Sequence, residues 1–147
     1  MLGGWKLNQM NIAGKQKQAH PRPTTAELAI LDVLWDLGAS TVREVHEALN
    51  PRGENSYTTT LKLLQIMHGK GLVTRDDSSR AHIYKPVLSR MQAQDEFVQD
   101  IVHRLFRGSA ARLALRALGQ APEADPGELD EIRSMLERME QKRKEVD

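Results

Sequence analysis

The chain contains no cysteine, which excludes disulfide bonds and thiolate metal sites. It also lacks any apolar run close to the ~20 residues that a membrane-spanning helix needs. The first residues, MLGGWKLNQMNIAGKQ, hold no apolar signal core. We therefore expect a cytoplasmic protein with no membrane insertion, and its 147 residues suffice for one medium domain or two small ones.

The sequence signatures of common catalytic sites are missing too. There is no G-x-S-x-G motif, no P-loop and no dinucleotide fingerprint. The 5 histidines are scattered, and the HE pair at 46–47 has asparagine at position 50, where a zinc-binding H-E-x-x-H motif needs histidine. We predict a protein that is not an enzyme and that uses no metal and no cofactor.

Charge is nearly balanced, with 21 basic and 20 acidic side chains. This total argues neither for nor against a polyanionic partner. Residues 1–23 differ, because they carry lysines and arginine but no acid and end in the proline-rich HPRP. We predict a disordered basic arm over 1–23, and both a phosphate-binding role and a merely solvated tail remain open.

Two capping boxes indicate where the first two helices begin. Thr24 and Glu27 open TTAELAILDVLWDLG, and Thr41 and Glu44 open STVREVHEALN. Each pair has the spacing at which the threonine and the glutamate bond to each other's backbone N–H. In the first helix we expect a buried stripe of Leu28, Leu31 and Trp35.

The third helix begins at SYTTTLKLLQIMHGKGLVTR. Thr60, Leu64 and Met67 repeat at helical spacing, and Gly71 ends the helix. Two extended runs follow at 72–75 and 81–85, joined by a polar turn, which is typical of a hairpin. Three helices and a hairpin over 24–88 predict a mainly α domain with a small β-hairpin wing, the winged helix-turn-helix.

The first turn of this third helix is rich in short hydroxyl side chains, which can approach bases and phosphates closely. A recognition helix presents that turn to the major groove, where the positive end of its dipole favours phosphate. We predict a double-stranded DNA partner. The alternative is a winged helix that contacts protein, which would need an exposed apolar surface on this helix.

Residues 89–147 predict a separate helical domain. Its apolar stripes are wider than one neighbouring helix covers, which favours a homodimer. A small helical bundle within one monomer is the alternative. The candidate dimer residues are Phe97, Val98, Ile101, Val102, Leu105, Leu129, Ile132, Leu136 and Met139.

The quoted segments, with RAHIYKPV and RLFRGSAARLALRAL, resemble the penicillinase repressors of the BlaI/MecI/CopY type over about 24–140. The resemblance implies a homodimer that binds an inverted-repeat operator and represses transcription. It places DNA contacts at the start of the third helix and basic residues in the wing, while Tyr84 is expected to pack. The resulting candidates are Thr41, Arg43, Ser56, Tyr57, Thr58, Thr59, Lys62, Arg80 and His82. For Tyr57, capping the core is the alternative.

Three departures limit what the resemblance implies. Family members often carry threonine where this chain has Lys62, so its half-site differs from theirs. Copper sensing through a C-terminal cysteine motif is excluded, because the chain has no cysteine. The bond aligned with the family's Asn–Phe cleavage bond is Arg116–Ala117. A membrane sensor protease acting indirectly therefore stays open as a partner, without an inherited cleavage site.

Overall fold

The computed structural model describes residues 21–120 and 123–146. These residues form two compact units, one up to Val98 and one from Gln99 onward. The helices are α1 (Thr25–Leu37), α2 (Val42–Leu49), α3 (Tyr57–Lys70), α4 (Arg90–Leu105), α5 (Ala110–Gln120) and α6 (Pro126–Val146). The strands are β1 (Ser40–Thr41), β2 (Val73–Asp76) and β3 (Ile83–Pro86).

Both predicted capping boxes are confirmed at the starts of α1 and α2. The Thr24 hydroxyl accepts the Glu27 N–H at 3.2 Å, and the Glu27 carboxylate accepts the Thr24 N–H at 2.8 Å. The corresponding distances for Thr41 and Glu44 are 3.2 and 3.1 Å. Each box satisfies two N–H groups that would otherwise have no partner within the helix.

The hairpin is confirmed as strands β2 and β3, which pair antiparallel with Arg75 opposite Tyr84. The sequence analysis missed β1, which adds a third strand in the order β1-β3-β2 and places Ser40 opposite Tyr84. A strand of two residues carries no period that a sequence pattern could reveal. The predicted class, mainly helical with a small antiparallel sheet, is correct.

The core of the first unit lies where α1, α2, α3 and β3 meet. Its buried members are Ile30, Leu31, Leu34, Val42, Val45, Leu64, Met67, Leu72, Val73 and Tyr84. The stripe predicted for α1 was wrong at Leu28, which is exposed. The buried face of α1 is formed by Ile30, Leu31 and Leu34 instead. Trp35 lies at the edge of this face, and its indole N–H donates to the Leu88 carbonyl at 2.9 Å.

The prediction of a disordered arm falls mostly on residues 1–20, which lie outside the described residues. Residues 21–23, at the end of the predicted arm, pack within the first unit. The Arg22 guanidinium lies 5.9 Å from the centre of the Phe97 ring, and Pro21 and Pro23 line a small apolar cavity with Trp35. The boundaries of the predicted domains remain predictions.

In the second unit, neither α5 nor α6 contains a buried residue. Ser109 caps α5 through the N–H of Arg112 at 3.1 Å, and Asp125 accepts the Gly127 N–H at 3.1 Å at the start of α6. A helix of 11 residues such as α5 is marginal in water by itself, and helices in proteins owe most of their stability to the packing of an apolar face. No helix in the described part of the chain is long and apolar enough to cross a bilayer.

Candidate nucleic-acid interface

The first turn of α3 exposes the predicted hydroxyl side chains. Ser56 caps the helix by accepting the Thr59 N–H at 3.2 Å, and the two hydroxyls lie 3.0 Å apart. Tyr57, Thr58 and Thr59 are exposed, whereas Thr60 is buried. One face of α3 therefore packs in the core, while its first turn is exposed to solvent.

The charge of this turn differs from that of the two preceding helices. The third helical residue is a glutamate in α1 and in α2, but it is Thr59 in α3, whose first turn holds no acid. Hydrogen bonds from the Thr41 backbone and hydroxyl hold the pKa of Glu44 below its usual value, so α2 begins with a carboxylate in place. The positive end of α3 has no such neutralising group, which suits a phosphate.

Two predicted residues, Arg43 and Tyr57, come together across α2 and α3. The Arg43 guanidinium carbon lies 5.6 Å from the centre of the Tyr57 ring, within the range of a cation–π contact. Both side chains are exposed. Lys62 lies one turn further along α3 and is also exposed. This surface therefore offers two cations, an aromatic ring and several hydroxyls.

Thr41, the other candidate on this side, is engaged in its own capping box, with its hydroxyl 3.0 Å from the Glu44 carboxylate. It is half-buried. A base contact by its hydroxyl would compete with the cap. Its assignment to the interface therefore remains a prediction that the geometry makes less favourable.

The wing carries Arg80 and His82 as predicted, both exposed. His82 lies near an acid, with its Nε2 3.7 Å from an Asp77 carboxylate oxygen. The same oxygen is 2.7 Å from Nε of Arg75. Arg75 is thus paired within the wing, whereas Arg80 is an exposed cation in the loop between the two strands. Tyr84 is fully buried, in agreement with the expectation that it packs.

Sequence reasoning missed the role of His46, which joins α2 to α3. Its Nδ1 lies 3.0 Å from the Thr60 hydroxyl and 3.2 Å from the Asn50 side-chain nitrogen. Its ring meets the Tyr57 ring edge-on, with the centres 5.9 Å apart and the planes at 75°. The available signal was spacing, because Arg43, His46 and Asn50 recur at three and four residues along one face of α2.

The candidate dimer residues lie largely on the surface of a single protomer. Leu105 is 73% exposed, and Leu136 and Met139 are more than half exposed. Val98 and Leu129 are exposed, while Phe97, Ile101, Val102 and Ile132 are half-buried. Their assignment to a dimer interface remains a prediction that these exposed apolar side chains favour.

Within residues 21–120 and 123–146, no group of three or more His, Asp or Glu side chains could hold a metal ion. The aligned cleavage bond, Arg116–Ala117, lies inside α5. A protease that requires an extended strand would first have to unwind that helix.

Three packed helices, a β-hairpin and an exposed hydroxyl-rich turn at the start of the third helix define a winged helix DNA-binding protein. The sequence matches the penicillinase repressor family over residues 23–138. The chain belongs to this family of DNA-binding transcriptional repressors, which is not a class of enzymes.

Curated relatives agree with this assignment. The transcriptional regulator BlaI of Mycobacterium tuberculosis, from strains CDC 1551 and H37Rv, is 34% identical over 115 residues, which cover 78% of this chain and 82% of the relative. Among solved structures, the monomeric form of Bacillus licheniformis BlaI with the blaP half-operator is 23% identical. The match covers 50% of this chain and 89% of the Bacillus licheniformis chain, with a TM-score of 0.43. The family assignment rests on the sequence matches.

Proposed function

We propose that the chain acts as a homodimeric transcriptional repressor that binds an inverted-repeat operator in double-stranded DNA. The first turn of α3 would enter the major groove, and the wing would lie against the phosphate backbone. A repressor of this kind acts on DNA, which agrees with the expected cytoplasmic location. A membrane sensor protease would act on this repressor indirectly.

One observation carries the proposal: α3 begins without the carboxylate that α1 and α2 place in their first turns. A glutamate in that position would repel phosphate and would occupy backbone N–H groups. Thr59 places no negative charge at the positive helix end and adds a hydroxyl and a methyl group, which can contact bases. Lys62 and Arg43 add positive charge beside it.

The roles of these side chains should differ by their chemistry. Thr58 and Thr59 are short and suited to base edges, so they would contribute to sequence preference. Lys62 and Arg80 are exposed cations that suit phosphates and would contribute affinity for any sequence. Tyr57 is 42% exposed, and its ring packs against His46 of α2 while the exposed part can reach DNA.

Support for the proposed dimer comes from the exposed apolar side chains of α4 and α6. A single winged helix reads one half-site, whereas a twofold dimer reads two half-sites, each raising the effective concentration of the other. Burying Leu105, Leu136 and Met139 between protomers would remove apolar side chains from water, which stabilises association. The operator would then have the same twofold symmetry as the protein.

The alternative, a winged helix that binds protein, has less support in the exposed surface of α3. Its large apolar exposed side chains are Tyr57 and Ile66, at 42% and 41%. They are nine positions apart, close to two and a half helical turns, and so face opposite sides of α3. No continuous apolar strip therefore runs along the exposed part of this helix.

The test begins with selection of DNA from a random-sequence duplex library by the full-length protein. Enriched sequences should contain two inverted half-sites, spaced by about one helical turn or a multiple of it. Titration should then show that Thr59→Ala weakens binding to the selected duplex by about 1–3 kcal/mol per half-site, with lost preference at one base position.

Gln94→Ala provides the control, because Gln94 is an exposed residue on α4 and belongs to no proposed DNA contact. It should leave both affinity and base preference unchanged. Selection that enriches no sequence, or a Thr59→Ala variant with the affinity of the original protein, would contradict the assignment of α3 as the recognition helix.

A further inference from the structure

His46 connects the core to the most exposed part of the candidate interface. On one side its Nδ1 is 3.0 Å from the hydroxyl of the buried Thr60. On the other side its ring meets Tyr57, whose ring in turn contacts the Arg43 guanidinium. These contacts form a continuous series from the inner face of α3 to a predicted DNA contact on α2.

The hydrogen-bonding role of the His46 Nδ1 follows from its neighbour Asn50. The Asn50 Nδ2 lies 3.1 Å from the His46 carbonyl oxygen, which can only accept a hydrogen bond. This contact fixes the amide orientation, so Nδ2 also donates to the imidazole at 3.2 Å. The Nδ1 atom therefore accepts from Asn50, which leaves Nε2 as the ring nitrogen that carries hydrogen. The contacts of Nδ1 with the Thr60 hydroxyl and the Asn50 side chain hold the ring in this orientation.

A ring held in this way restricts Tyr57. Edge-to-face aromatic pairs prefer centre distances of about 4.5–7 Å, and the pair of His46 and Tyr57 lies within this range. Tyr57 is the first residue of α3, and Arg43 lies one turn before His46 on α2. The orientation of two candidate contacts thus depends on one half-buried imidazole that does not itself belong to the predicted contact set.

We infer that His46 is a positioning residue for operator recognition, which holds the Tyr57 ring and, through it, the Arg43 guanidinium at the start of the recognition helix. The inference rests on the proposed function. It separates two properties of the side chain: the ring, which orients Tyr57, and the Nδ1 acceptor, which bonds Thr60 and Asn50. Selectivity for the operator should depend on the ring, and stability on the acceptor.

The experiment compares three variants of the full chain: His46→Ala, His46→Phe and His46→Gln. Each is titrated with the duplex selected by the original protein and with a shuffled duplex of the same length and composition. His46→Ala should reduce the ratio of the two affinities on the order of tenfold, because the Tyr57 ring loses its aromatic contact with His46 and no longer holds the Arg43 guanidinium in place. His46→Phe should restore most of that ratio, whereas His46→Gln should retain the unfolding midpoint without restoring the ratio.

His68→Ala is the matched control, since His68 is an exposed histidine in the last turn of α3. It should change neither the ratio nor the midpoint. An unchanged ratio in His46→Ala, or equal ratios in the Phe and Gln variants, would overturn the inference. If the original protein itself fails to prefer the selected duplex, the proposed function fails instead, so the two failures are distinguishable.

Discussion

Replacing Glu27 by glutamine removes one charge from the interior of the first unit without changing the size of the side chain. The carboxylate is almost fully buried, at 1% exposure. It accepts the Thr24 N–H, and both of its oxygens lie 3.0 Å from Nζ of Lys70, the last residue of α3. The pair therefore joins the start of α1 to the end of α3.

The size of the effect follows from these contacts. Hydrogen bonds between charged groups contribute about 1.5–3 kcal/mol, and glutamine still provides an oxygen for Thr24. Lys70 is 36% exposed, so water screens the ion pair and can solvate the lysine once its partner is neutral. We expect Glu27→Gln to lower the free energy of unfolding by about 1–2 kcal/mol. Lys70→Met leaves the buried carboxylate unpaired and should cost more, about 3 kcal/mol.

The pH dependence supplies a second readout. Burial alone would raise the pKa of Glu27, but hydrogen bonds from the Thr24 backbone and from Lys70 outweigh it and hold the pKa below 4.5. Because the pKa is lower in the folded state, this contribution to stability is complete above pH 4.5 and is lost as pH falls through the folded value. The glutamine variant should lack this part of the acid sensitivity.

Denaturant unfolding followed by far-UV circular dichroism, at neutral pH and at about pH 4, measures both effects. Glu47→Gln is the control, because Glu47 is an exposed carboxylate on α2, and it should change stability by less than about 0.5 kcal/mol. A Glu27→Gln variant that unfolds with the original free energy and the original acid sensitivity would refute the assigned role of this pair.

Two further predictions concern the interface and the dimer. Lys62→Ala should weaken binding to selected and shuffled duplexes alike. Because each protomer loses one phosphate contact, the magnitude of the slope of log K against log salt should fall by about 2 in the dimer. An unchanged slope would exclude a phosphate contact. Leu105→Asp should yield monomers by light scattering and much weaker operator binding, because a charge buried between helices is costly. His103→Asp, at an exposed polar position on the same helix, should remain dimeric; a dimeric Leu105→Asp variant would remove that side chain from the interface.

Much of the first unit was predictable because local signals and tertiary packing agree there. The capping boxes, the glycine at the end of α3 and the period of Thr60, Leu64 and Met67 each specify one helix without reference to distant residues. The prediction that Leu28 is buried was wrong because α1 packs against several elements. That packing decides which face of the helix is buried, and the spacing of apolar residues alone does not. Strand β1 is too short for any pattern.

The candidate site was predictable in composition but not in arrangement. Hydroxyls at the start of α3 indicated the surface, since residue type determines what can reach a base. The contacts of His46 with Tyr57 and Thr60 join two helices and depend on their packing, which no local pattern contains. The same holds for the pair of Glu27 and Lys70, whose members are 43 positions apart in the sequence.

The absence of buried residues from α5 and α6 has a consequence for the amount of protein in a cell. If these helices obtain their apolar contacts from a second protomer, their folding and the association of the chains are one equilibrium, which depends on protomer concentration. After dilution, as in a cell that divides faster than it synthesises the protein, dimers dissociate and the helices lose their support. The number of intact repressor dimers would then fall more steeply than the number of copies, so that repression responds to gene dosage and to growth rate without any ligand.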